Sequence, residues 1–188
     1  MTINSAIYTS AMFLQLDQVC LALDDETEMD DDTKREIDLL LRCANLVLNE
    51  ISCAYYPLKT TQKVQAKGRY INYCDLEKPL VDTYSIKSSA GENLRFSEYY
   101  DRIYVYGESD SEFEIEYSYP CPQMQLGDEI PYESQRVSER ILAYGTVCEY
   151  YVASGMSAEA SVWQKRYYNA LEQSKSKREK VVKARRWA

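Results

Sequence analysis

The sequence predicts an α+β protein: a helical bundle, built from a long helix and a C-terminal helical hairpin, with an antiparallel β-rich module inserted between them. Three observations predict it. Apolar residues recur at steps of three and four before Pro57 and again after Val137. Between Gln62 and Tyr119 the period falls from 3.6 to 2. The C-terminal stripe is broken once, at Gly155, where a residue able to take the left-handed conformation ends one helix before the next begins.

The elements follow in order. Residues 5–23 form an amphipathic helix, with Met12, Phe13, Leu16, Val19, Cys20 and Leu23 on one side. The run Asp24–Asp32 then places seven acids in nine residues. It reads as a solvated loop and the charged start of a helix, where acids favour the positive end of the dipole. As a cation site it lacks the glycine and spaced ligands of an EF-hand loop. Thr33–Tyr55 is the clearest helix, with Ile37, Leu40, Leu41, Ala44, Val47, Leu48 and Ile51 along one stripe, and Pro57 ends it.

Six short strands are expected next, near Val64, Tyr70–Tyr73, Val81–Ile86, Leu94–Phe96, Arg102–Tyr106 and Glu112–Tyr119. In the last, Phe113, Ile115, Tyr117 and Tyr119 alternate with Glu112, Glu114, Glu116 and Ser118, giving one buried and one wet face. Turn signals at Lys67-Gly68, Ala90-Gly91 and 107–110 favour local antiparallel hairpins. Pro120, Pro122 and Pro131 mark the exit, with Pro131 suited to the first position of a helix. Val137, Ile141, Tyr144, Cys148 and Tyr151 line the first helix of the hairpin. Ala160, Trp163, Tyr167, Ala170 and Leu171 line the second, with Ser157 as its N-cap and Glu159 in its first turn. A link this short requires antiparallel packing, and the long helix is a natural cover for the outer surface. The chain thus divides into helices at 1–58, the β module at 59–128, the hairpin at 129–174 and a basic C-terminal arm at 175–188.

Composition narrows the chemistry. The chain has 188 residues, is 45% hydrophobic and has no apolar run of membrane-spanning length. The N-terminus lacks the basic start and cleavage site of a signal peptide. The six cysteines are scattered and read as free thiols in a reducing compartment. No histidine is present, so a Ser-His-Asp or Cys-His arrangement within the chain is excluded. No phosphate-binding glycine loop and no cofactor or metal motif occurs. Glu112, Glu114 and Glu116 read as a solvated strand face rather than as catalytic acids, which need a pocket that raises their pKa. The arm from Lys175 to Ala188 carries seven basic residues and one acid, leaving −14 on the rest of a chain whose total is −8. Val181, Val182 and Trp187 give that arm apolar anchors, which suits docking on a protein. The 18 tyrosines, several in pairs, suit interfaces, with one member of each pair filling the core.

Three stretches carry a family resemblance. CANLVLNEISCAYYPLK, from Cys43 to Lys59, is a long helix running into a Tyr-Pro-Leu exit. GRYINYCDLEKPLVDTYSIKSSAGENLRF, followed by RIYVYGESDSEFEIEYSYPCP, is a β insertion that ends in a Tyr-x-Tyr-Pro strand. SERILAYGTVCEYYVASGMSAEASVWQKRYYNAL is a helical hairpin with glycine at the turn and tryptophan in the second helix. In this order of parts, over most of Ile37–Leu171, the chain resembles the head–tail connector (adaptor) proteins of tailed bacteriophages.

The resemblance implies a non-enzymatic virion protein, made in the host cytoplasm and placed in the neck. Copies, usually twelve, form a ring beneath the portal, and DNA passes through its lumen without specific binding. The basic arm docks on the portal, with Arg178, Lys183, Arg185, Arg186 and Trp187 as the expected contacts, and the β module faces the next neck or tail protein. An acidic wall would repel the phosphate backbone, so that DNA slides. The alternative is a nucleic-acid-binding module using the basic arm and Arg166-Tyr167-Tyr168. A carboxylate-based hydrolase is the third reading.

Overall fold

The computed structural model describes residues 1–25, 30–66, 68–107 and 112–176. The described residues form five α-helices and two three-stranded antiparallel sheets, an α+β fold. The chain forms two compact units: one of residues 1–48 and 123–188, the other of residues 49–122.

The first unit is helical. Helix α1 (Ile3–Leu14) is capped by Thr2, whose hydroxyl accepts from the Ser5 amide. Its buried face is Ile3, Ala6, Ile7, Ser10 and Ala11, not the Met12–Phe13 side expected from the sequence. The single helix expected over 5–23 is two helices. Gln15 adopts the left-handed conformation (φ 58°), and its amide and that of Leu16 close back on α1, so that α2 (Asp17–Asp25) starts in a new direction. Neither glycine nor proline marks this break. Helix α3 (Asp31–Glu50) is capped by Asp30, whose carboxylate accepts from the Thr33 amide at 2.7 Å. That bonding holds the Asp30 carboxyl below its ordinary range. Ile37, Leu40, Ala44, Val47 and Leu48 are buried as their spacing predicts. The acidic residues 26–29 lie outside the described residues.

Helix α4 (Glu139–Ala153) begins after Ser138, whose hydroxyl accepts from the Ile141 amide at 3.4 Å. Pro131, expected at the start of this helix, lies eight residues earlier in irregular chain. Eight consecutive residues, Ile141 to Cys148, are buried, so α4 has no wet face over two turns. Gly155 (φ 75°) reverses the chain into α5 (Ser157–Ser176). Ser157 opens α5 rather than capping it: the Ala160 amide donates to the Met156 carbonyl, which puts Met156 at the cap. The hairpin is antiparallel, as expected. The Cys148 thiol reaches the Ala160 carbonyl, and Tyr144 packs on Trp163. Gly145 is where α3 and α5 close on α4. A methyl group there would meet the two Val47 methyls at 2.7 and 2.9 Å and the Tyr167 ring at 3.0 Å. Only glycine fits that crossing.

The second unit starts with the last turn of the long helix. After Glu50 it continues as a π-helical turn, Ile51–Tyr55, and ends before Pro57. The strands are β1 (Leu58–Gln65), β2 (Tyr70–Asn72), β3 (Thr83–Ser88), β4 (Phe96–Glu98), β5 (Arg102–Val105) and β6 (Glu112–Tyr119). They form sheets ordered β1-β6-β3 and β2-β5-β4. All pairings are antiparallel; the expected reversal at Ala90-Gly91 is present, with an isolated antiparallel bridge between Lys87 and Asn93, but most strands do not pair with their neighbours in sequence. Only β4 and β5 are neighbours both in sequence and in a sheet. Each connection other than the one between β4 and β5 switches the chain to the opposite sheet. Alternation fixes which face of a strand is buried, but it does not choose the neighbour. The inward residues of both sheets, among them Val64, Ile71, Ile86, Ile103, Val105, Phe113, Ile115 and Tyr117, share one core. Ser118, expected on the wet face, is buried, and its hydroxyl is bonded to the Asp82 backbone.

Candidate interaction surfaces

The expected docking residues Arg178, Lys183, Arg185, Arg186 and Trp187 lie outside the described residues. Helix α5 leads into their segment. Between the start of α4 and the second half of α5 lies a cavity of about 550 Å³, lined by Arg136, Arg140 and Arg166 and by no carboxylate. Beside it is an aromatic cluster. Phe13, Tyr144 and Trp163 sit with ring centroids 5.3–5.6 Å apart. The clusters interlock: the Arg140 guanidinium lies 5.3 Å from the Tyr144 ring and donates to its hydroxyl at 2.5 Å, while Arg166 lies 4.7 Å from Trp163. Ring contacts of this kind hold a guanidinium in place while leaving its edge for a planar anion. Arg136 has a 3.9 Å approach to Glu133. Glu139, at the mouth of α4, is turned to Thr9, whose hydroxyl donates to it. Phe13, read from sequence as core, is partly exposed and belongs to this surface.

The second unit carries a surface of similar chemistry. With Ile71, Ile103 and Val105 buried, β2 and β5 turn Tyr70, Arg102 and Tyr104 outward, and Tyr106 follows. The rings form a row, Tyr70–Tyr104 at 5.3 Å and Tyr104–Tyr106 at 4.8 Å edge-on. Arg69 donates to the Tyr104 hydroxyl, and Arg102 lies over Tyr70 while pairing with Asp101 at 2.6 Å. That pairing holds the Asp101 carboxyl below its ordinary range. Tyr99 and Tyr100 are both exposed, against the expectation that one of each tyrosine pair fills the core. Tyr167 and Tyr168 do divide that way.

Two of the three acids of β6, Glu114 and Glu116, are paired across the sheet. Lys59 approaches Glu116 at 3.4 Å and Lys87 approaches Glu114 at 3.6 Å. Ser85 donates to Glu116 as well. These are cross-strand ion pairs on a half-exposed face.

The six cysteines are free thiols. Burial pushes Cys43 and Cys121 up to about 11, with Glu149 adding to the effect at Cys43. Among the described residues, no group of three or more Cys, Asp or Glu side chains is placed to hold a metal ion, and no helix is long and apolar enough to cross a membrane.

Comparison with known proteins adds no relative: no family model matches the chain, and no curated protein matches it.

Proposed function

We propose that this protein is a structural virion component: a head–tail connector whose copies form a ring beneath the portal and pass DNA through its lumen. The observation that carries the reading is that each compact unit presents its own surface of rings and arginines: Phe13, Trp163, Arg140 and Arg166 on the helical unit, seated on the buried Tyr144, and Tyr70, Tyr104, Arg69 and Arg102 on the β unit. Tyr, Trp and Arg are the residues that protein interfaces concentrate and that dominate their energetics. Two such surfaces suit a protein that joins two different neighbours. In this reading the helical unit and the basic arm meet the portal, the β unit meets the next neck or tail protein, and the role is non-enzymatic. The chain is made in the host cytoplasm and ends in the virion neck.

The test is affinity capture from native particles or infected cells, with mass spectrometry of the partners and electron microscopy of the eluate. Portal protein in the eluate and rings seen end-on are the expected result. Recovery of nucleic acid without capsid or tail proteins overturns the reading. It would favour instead a nucleic-acid module, for which the exposure of Arg166 beside two further arginines is the supporting observation. That module would bind DNA with a steep salt dependence.

A further inference from the structure

The acidic run Asp24–Asp32 and the arginine-lined cavity are the two most concentrated charges of opposite sign outside the basic arm. We propose that the cavity between α4 and α5 receives the acidic run of a neighbouring copy. The proposal rests on the ring reading only in requiring that copies meet.

The cavity is built for carboxylates. Arg140 and Arg166 have no ion-pair partner among the described residues, and each is held by an aromatic ring. A guanidinium so fixed loses little freedom when it takes a carboxylate in a bidentate pair. The rest of the lining is largely amides and hydroxyls, including Gln135, Asn169 and Gln173, which add neutral donors. With Arg136 approached by Glu133, the two unpaired guanidiniums of Arg140 and Arg166 beside one hollow repel each other, and an anion relieves that repulsion. The volume, about 550 Å³, is that of a site enclosing several side chains. A concave site of this size suits a chain segment better than the convex backbone of a DNA duplex.

The run supplies the complement. It carries seven carboxylates, and Asp31 and Asp32 are 89% exposed, with only short-range pairs to Lys34 and Arg35. Such exposed pairs are weak and readily exchanged. Within its own chain the run starts elsewhere. Asp24 faces Tyr8 and lines a separate hollow with Asn4, Ser5 and Glu139, and Asp30 is committed to capping α3. A cavity on one surface and its complement on another make a heterologous contact, the kind that closes rings.

Charge exchange tests this on the full-length chain. One variant carries Arg140→Glu and Arg166→Glu. A second carries Asp25→Lys, Glu26→Lys, Glu28→Lys and Asp31→Lys, leaving the Asp30 cap intact. A third combines both sets. Assembly is followed by light scattering across a concentration series, with circular dichroism as the check on folding. Each of the first two variants is expected to weaken assembly by about tenfold or more. The combined variant is expected to regain it, and an equimolar mixture of the first two to form pairs. If the first two variants assemble like the parent chain, the inference fails and the ring reading stands. If the parent chain never assembles, both fail. If the arginine variant assembles normally but loses binding to a short labelled DNA duplex, the cavity is a nucleic-acid site and the inference is overturned.

Discussion

The two cores of this protein are put together on different principles. In the β unit, the core is a layer: the apolar residues at alternate strand positions face inward from one sheet toward the other, and their neighbours in sequence face out, save Ser118, which is buried against the Asp82 backbone. In the helical unit, the core is an axis. Helix α4 is buried all round from Ile141 to Cys148, and three helices meet at Gly145. A layered core tolerates change on its outer face, because that face was never counted in the packing. An axial core has no such face, so even an added methyl is felt. The comparison also explains where the chemistry sits. The β unit exposes its rings and arginines on the outer face of the β2-β5-β4 sheet, whereas the helical unit exposes its own at the ends and edges of α4 and α5.

Four changes break or sharpen this contrast. The largest effect is expected from Phe113→Ala, which removes a fully buried ring from the layer. It should cost about 3–5 kcal/mol and show in denaturant unfolding as an earlier transition of the β unit alone. If the two units unfold as one, the two cores are coupled more tightly than their separate packing implies. Gly145→Ala is expected to cost about 1–3 kcal/mol, because Val47 and Tyr167 occupy the space the methyl needs. The same measurement should place its loss in the helical transition. Ser138→Ala removes the cap of α4 and should cost about 1 kcal/mol, read by the same denaturation.

The smallest effect is a pH effect. Cys43 and Cys121 have thiols raised to about 11 by burial. Their folded pKa exceeds the unfolded one, so their contribution is intact at neutral pH and is lost as pH climbs from about 8.5 toward 11. A thiol reagent at mildly alkaline pH should therefore modify the exposed Cys53 and Cys74 first, the half-buried Cys121 more slowly, and the buried Cys43 only on unfolding. Cys43 labelled as fast as Cys53 would mean that the helical core opens readily.

Much of the layered core was legible in the sequence, because period-2 alternation assigns a face to each residue without reference to any partner. Phe113, Ile115 and Tyr117 are where their spacing puts them. What alternation could not supply was the strand order, since β1 and β3 find β6 across long stretches of chain. The axial core was less legible. The stripe reading there finds Val137, Ile141, Tyr144, Cys148 and Tyr151; the first four are buried and Tyr151 is only half-buried. It misses that Leu142, Ala143, Gly145, Thr146 and Val147 are buried too. The signal was the unbroken uncharged run Ile141–Cys148, which is too long for a one-sided helix. The break at Gln15 had no glycine or proline to announce it. Among the surface residues, Arg166 stood out only through its tyrosine neighbours. Arg136 and Arg140 carried no such signal, because their convergence with Arg166 depends on how α4 and α5 are paired.

The pairing of β1 with β6 has one more consequence. Leu58 and Tyr119, the first and last strand residues of the β unit, are partners in register. The strand portion of that unit therefore begins and ends at points about 5 Å apart, the spacing of antiparallel partners. The Ser52 hydroxyl, which accepts from the Cys121 amide at 2.8 Å, draws the two ends together just before the strands. To the helical unit, the whole insertion is equivalent to a short loop, whatever its length. It behaves as a guest cassette: the hosting helices meet the same closure requirement whether the guest is this module, a longer one or a few residues of linker. Selection can then remodel the module for a new neighbour without re-solving the crossing at Gly145.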